Sequence, residues 1–97
     1  MKLGIVLGTR ADLLHAAALA LAARRAGHEV AIFAMDAGCA ALAAEPAVAQ
    51  ELLDADCELT VCSNSAAGLE LPDGVVRGSQ DEHAAVLATS DRVVALT

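Results

Sequence analysis

The chain has no tryptophan, no tyrosine and a single phenylalanine, Phe33, in 97 residues. A surface that stacks bases on aromatic rings is therefore excluded. Basic side chains are also scarce, with 6 Lys and Arg against 13 Asp and Glu and a net charge of −7. Such a chain repels phosphates, so no nucleic-acid partner is expected. No basic amphipathic face suggests a membrane surface. The longest apolar run, from Leu13 to Ala23, is bounded by Asp12 and by Arg24-Arg25. It falls well short of the ~20 residues that a spanning helix needs. It does not read as a signal peptide either, because Arg10 and Asp12 precede it and no small-x-small cleavage site follows. A cytoplasmic location is the expectation. There is no CxxC or HxxxH pair, so no zinc site is expected. The three cysteines are an odd number for a disulfide framework and read as free thiols.

What the chain does have is aliphatic residues. Hydrophobic types make up 57% of it, and much of that is alanine. A length of 97 residues fits one domain over residues 1–97, burying roughly 65% of its unfolded surface. So much apolar sequence in so small a domain predicts burial against further copies of the same chain.

Lys2 to Leu7 is a near-continuous apolar run of the kind that suits a strand buried on both faces. Gly8-Thr9-Arg10 is a turn, and Ala11 to Ala26 is rich in the best helix formers. Gly27 follows as a C′ glycine. His28 to Ala34 is a second strand. Helices are expected near 38–44 and 46–55, the second starting on Pro46, which is tolerated at a first helical position. Cys57 to Cys62 is a third strand, Ser63 to Leu69 a short helical turn, and Val75-Val76 a very short strand. Ser79-Gln80-Asp81-Glu82 is a capping box opening a helix to about Thr89. Val93 to Leu96 closes the chain as a strand. The alternation predicts an α/β fold, a three-layer sandwich with helices on both faces of a mostly parallel sheet of four to five strands. Chemistry in such sheets gathers beyond the carboxyl ends of the strands.

Cys62 ends the third strand there and is followed at once by Ser63-Asn64-Ser65. A thiol facing the free N–H groups of a helix start gains a lowered pKa and becomes a reactive thiolate. The other reading is a small apolar filler. Arg10 adds positive potential if the first and third strands are near neighbours; otherwise it is a solvated loop charge. Ser63 and Ser65 read as helix-capping hydroxyls. Asp12 and His15, three apart, can meet as a carboxylate–imidazole pair or be a plain surface pair. Cys39 is either a second thiol at the same rim or a packed residue, with packing preferred. Cys57 reads as buried filler at the opposite rim, and His28 and His83 read as structural and surface residues. Gly4, Gly8 and Gly38 make neither a dinucleotide fingerprint nor a P-loop.

Taken in order, several segments resemble the DsrE/DsrF-like (DsrEFH, TusBCD-related) family of small sulfur-relay proteins. They are Lys2-Leu3-Gly4-Ile5-Val6-Leu7 before an Ala/Leu-rich helix, then Gly27-His28-Glu29-Val30, Leu59-Thr60-Val61-Cys62, and Gly74-Val75-Val76 leading through Ser79 to Ser90-Asp91-Arg92-Val93-Val94. The resemblance implies a persulfide carried on Cys62, with Ser63, Asn64, Arg10 and His15 as possible support. It also implies assembly into trimers or hexamers, and sulfur donor and acceptor proteins as partners. It requires no metal or organic cofactor. The chain is shorter than the sulfur-oxidation and tRNA-thiolation subunits and looks more like the short stand-alone members. Two other classes stay open. One is a non-catalytic oligomeric binding module of the same fold. The other is a nucleotide-sugar-related Rossmann-like domain, because Leu7 to Asp12 and Arg25 to Val30 also look like the start of two-domain glycosyltransferases.

Overall fold

The apolar runs form strands. In the computed structural model, which describes residues 1–97, the strands are β1 (Lys2–Leu7), β2 (Glu29–Ala34), β3 (Glu58–Cys62), β4 (Val76–Gly78) and β5 (Arg92–Leu96). Between them lie the helices α1 (Leu13–Arg25), α2 (Ala37–Ala44), α3 (Pro46–Asp54) and α4 (Gln80–Thr89). All five strands run parallel in the order β4-β3-β2-β1-β5, giving the α/β sandwich expected of the sequence.

Side chains alternate across a strand, and here the two faces carry different loads. Leu3, Ile5 and Leu7 of β1, Val30, Ile32 and Ala34 of β2, and Leu59 and Val61 of β3 form one face. Against it pack Leu13, Ala16, Ala17 and Ala20 of α1, a stripe at helical spacing, together with α2 and α3. The other face is smaller: Ala31, Phe33 and Cys62 meet Val86 of α4. The chain steps outward from β1 to β2, β3 and β4, then returns through α4 to pair β5 with the far side of β1. Crossovers of one hand place helices on one face during the outward steps and on the other on the return. That is why α4 stands alone over Cys62's face.

The helix ends follow backbone chemistry. At the end of α1 the His28 N–H reaches the Ala23 carbonyl and the Gly27 N–H the Arg24 carbonyl, with Gly27 at φ +86. This is the Schellman closure that the glycine was expected to make. The same pair of bonds ends α3, where Asp56 (φ 63) takes the left-handed position. Arg24 ties both ends together by donating to the carbonyls of Ala55 and His28. The start of α1 lies two residues later than composition indicates. Asp12 takes the N-cap position, with its carboxylate accepting from the Thr9 hydroxyl.

The segment after Cys62 differs from expectation. Ser63 to Gly68 forms a series of turns, not a helix. It is a loop that replaces a crossover helix between β3 and β4, packing Ala66, Leu69, Leu71 and Val75 onto the three-helix face. Strand β4 falls at Val76–Gly78, slightly beyond the Val75-Val76 pair.

Candidate thiol site at Cys62

Strand β3 delivers Cys62 to the carboxyl rim of the sheet, and the loop that follows is shaped around it. Both donors of Ser63, its N–H and its hydroxyl, go to the Gly78 carbonyl at 2.8 Å. The Ala66 N–H returns to the Cys62 carbonyl at 2.9 Å. Arg77 reaches across from β4 and donates to the carbonyls of Ala66 (2.9 Å) and Leu69 (2.6 Å). These bonds hold the turn while the N–H groups of Asn64 and Ser65 have no backbone acceptor. Two free N–H groups in succession form a concavity for an anion without needing a helix.

The sulfur occupies that concavity. The Cys62 thiol is held below the ordinary thiol range, first by the Ser65 N–H and then by the Ser65 hydroxyl. The Asn64 N–H and the Gln80 side chain add to this, and burial opposes it. Cys62 is 9% exposed. Its cover comes from these close neighbours, so desolvation does not outweigh the donors. The Ser65 hydroxyl is itself oriented, because its oxygen accepts the Asp36 N–H at 3.0 Å and its proton is left for the sulfur. Asp36 sits just past β2 with φ 51, a conformation that non-glycine residues rarely adopt. Strain of this kind persists where surrounding structure enforces it, commonly at functional sites.

The other two cysteines contrast with it. Burial pushes the Cys39 thiol up, although the Cys62 backbone N–H and the Arg77 guanidinium oppose this. Cys39 is wholly buried and donates to the Ala34 carbonyl at 3.3 Å. Burial likewise raises Cys57, at the opposite end of β3 and on the opposite face from Cys62.

The residues expected around Cys62 are brought together only in part. Asn64 lies at the sulfur through its backbone, and Ser63 serves as the staple to β4. Ser65, read from sequence as a cap, is the main donor. Arg10 is not a neighbour: β2 separates β1 from β3, two strand spacings or roughly 9–10 Å. It lines a cavity of about 320 Å³ between α1 and α2 with Leu13, Leu14, Ala41 and Glu45. That cavity is on the three-helix side and holds no nucleophile, so the chemistry belongs at Cys62. His15 is exposed on α1, away from Cys62's face, and Asp12 bonds Thr9 instead of pairing with it. Gln80, Asp36 and Arg77 were missed. The strand register pairs Cys62 with Gly78 and so brings Ser79-Gln80 beside the sulfur. Nothing in the order of residues announces that pairing. No group of three or more His, Cys, Asp or Glu side chains stands ready to hold a metal ion.

Comparison with known proteins gives two results. The family model described as the DsrE/DsrF-like family matches residues 1–96. The crystal structure of the ychN protein from E. coli is similar in fold, with a TM-score of 0.79 at 18% identity over 99% of each chain. Among the curated proteins none matches.

Proposed function

Starting from the DsrE/DsrF-like family, to which this chain belongs, we propose that it is a sulfur-relay protein carrying sulfane sulfur as a persulfide on Cys62. The observation that carries the proposal is the sulfur's setting. Of three cysteines, Cys62 alone is held low by converging donors, while burial raises the other two. The Cys62 thiolate attacks the terminal sulfur of a donor persulfide, R–S–SH. A bond forms between Sγ and that sulfur, the donor's S–S bond breaks, and the electron pair leaves with RS⁻. The product is Cys62–S–SH. An acceptor thiolate then attacks the outer sulfur, forming its own persulfide and returning Cys62 as thiolate. No oxidant or reductant is consumed. The same N–H and hydroxyl donors serve thiolate and persulfide anion alike. Replacing Cys62 with serine is expected to abolish sulfur loading while the fold remains; equal loading in that variant would overturn the proposal.

In this reading residues 1–97 act as one domain, in the cytoplasm, where thiols stay reduced. The partners are donor and acceptor proteins and other copies of the chain, as a trimer or hexamer. Self-association is supported by the face that α4 covers alone. Around it Leu87, Val93 and Val76 are 46%, 39% and 55% exposed. That apolar rim also favours the second reading, an oligomeric binding module, which predicts that replacing Cys62 leaves partner binding unchanged. No helix is long and apolar enough to cross a membrane.

A further inference from the structure

We propose that Gln80 and His83 are positioning residues for Cys62, His83 fixing the Gln80 carboxamide so that its NH₂ points at the sulfur. This rests on the reading of Cys62 as the reacting thiol. A thiolate can only accept hydrogen bonds, whereas a carboxamide offers a donor at one end and an acceptor at the other. Left free, the Gln80 amide presents either end. The His83 ring removes the choice. Its Nδ1 lies 2.9 Å from Gln80 Oε1, and an amide oxygen only accepts, so Nδ1 carries the proton. With Oε1 taken, the NH₂ is the end that meets the sulfur.

The arrangement is built from three elements. Gln80 and His83 are three apart on α4, the spacing at which helix side chains meet. Pairing of Gly78 with Cys62 sets the start of α4 against the end of β3. Phe33 of β2, the chain's one aromatic, stacks on the His83 ring with centroids 4.9 Å apart and planes within 11°. Phe33 shares its apolar cluster with Cys62, so one packed group seats both the imidazole and the thiol. The charged groups on the surrounding elements are otherwise engaged. Glu82 of α4 bonds Ser79, and Arg77 of β4 bonds the Ala66 and Leu69 carbonyls. Asp36, beyond β2, contributes its backbone N–H to Ser65, and Cys39 of α2 is bonded to the Ala34 carbonyl. The sulfur is left to neutral donors, and Gln80 is the one whose orientation another side chain sets.

The test is the pH profile of iodoacetamide alkylation at Cys62, read by peptide mass spectrometry on the wild type, Gln80→Leu, His83→Phe and the double variant. His83→Phe keeps a ring against Phe33 but has no N–H. It is expected to move the Cys62 midpoint upward and slow alkylation at pH 7 by about two- to three-fold, the size of one exposed hydrogen bond. Gln80→Leu is expected to do at least as much, and adding His83→Phe to it should change nothing further. His83→Phe acting equally with and without Gln80, or not acting at all, would overturn the proposal. Gln80→Glu provides a second variant at the same site: its carboxylate should raise the midpoint further, and an unmoved midpoint would show that residue 80 does not face the sulfur. Thermal unfolding of each variant confirms that the comparison is between folded proteins. None of these readouts needs sulfur loading. A Cys62 that titrates low through Gln80 and His83 but takes no sulfur would remove the relay and leave the positioning pair standing.

Discussion

At the scale of single residues, the chain sorts three cysteines of one chemical type into one reactive and two inert thiols. The difference is local. Cys62 faces the donors of Ser65 and Asn64, whereas Cys39 and Cys57 face apolar packing. In the folded protein Cys62 is therefore expected to alkylate readily with a midpoint below that of a free thiol, while Cys39 and Cys57 react only after unfolding. Peptide mapping after a short alkylation pulse checks this, and labelling spread evenly over the three would contradict it. Ser65→Ala should raise the Cys62 midpoint, because it removes the hydroxyl and leaves only the N–H. The place of Cys62 at a strand's carboxyl end, ahead of small polar residues, was legible in the sequence. Its donors were not, because Asp36 and Gln80 reach the site through strand register and chain reversal. A helix after Cys62 was a reasonable reading of Ser63 to Leu69. The Arg77 bonds to the loop carbonyls supply the tertiary reason it forms turns instead.

At the scale of elements, local chemistry was legible wherever it closes within a few residues. The capping box at Ser79 is formed as the sequence indicated: the Ser79 N–H reaches Glu82 Oε2 at 2.6 Å and Asp81 N–H reaches Ser79 Oγ at 3.1 Å. These bonds hold the Glu82 carboxyl below its usual range, the Ser79 N–H and hydroxyl being the chief causes. A depressed folded pKa means that the stabilisation is complete above the unfolded Glu value of about 4.3 and is lost as pH falls through the lower folded value. Acid should accordingly loosen α4, and with it the Gln80 contact. Ser79→Ala should cost about 1 kcal/mol at neutral pH and reduce that acid sensitivity, measured by denaturant unfolding at pH 7 and pH 3. Close approach between elements was less legible. A Cβ on Gly38 would lie 2.3 Å from the Leu7 carbonyl oxygen, which is backbone and cannot swing aside. Gly38→Ala should destabilise by about 1–3 kcal/mol as α2 is pushed from β1. The sequence showed Gly38 only as a lone glycine after a strand.

At the scale of the whole molecule, the alternation of strands and helices was enough to place the fold, and the apolar composition was enough to raise the question of assembly. The direction of each crossover was not legible. It decides that three helices crowd one face and that α4 alone covers the other, so that Arg10 and His15 end far from Cys62. The exposed Leu87 and Val93 lie on and beside that thinly covered face. Assembly through it predicts a mass above that of one chain by light scattering at micromolar concentration, falling to the monomer in a Leu87→Glu, Val93→Glu double variant. A monomeric wild type would contradict this. The central claim concerns chemistry, and one measurement addresses it most directly. The reduced protein is incubated with a sulfane-sulfur donor, and the added sulfur is located by intact and peptide mass spectrometry. The account predicts added sulfur on Cys62 alone, released by a thiol reductant. No addition at Cys62, with Cys39 and Cys57 equally unmodified, would contradict it and leave the oligomeric binding module as the reading of this fold.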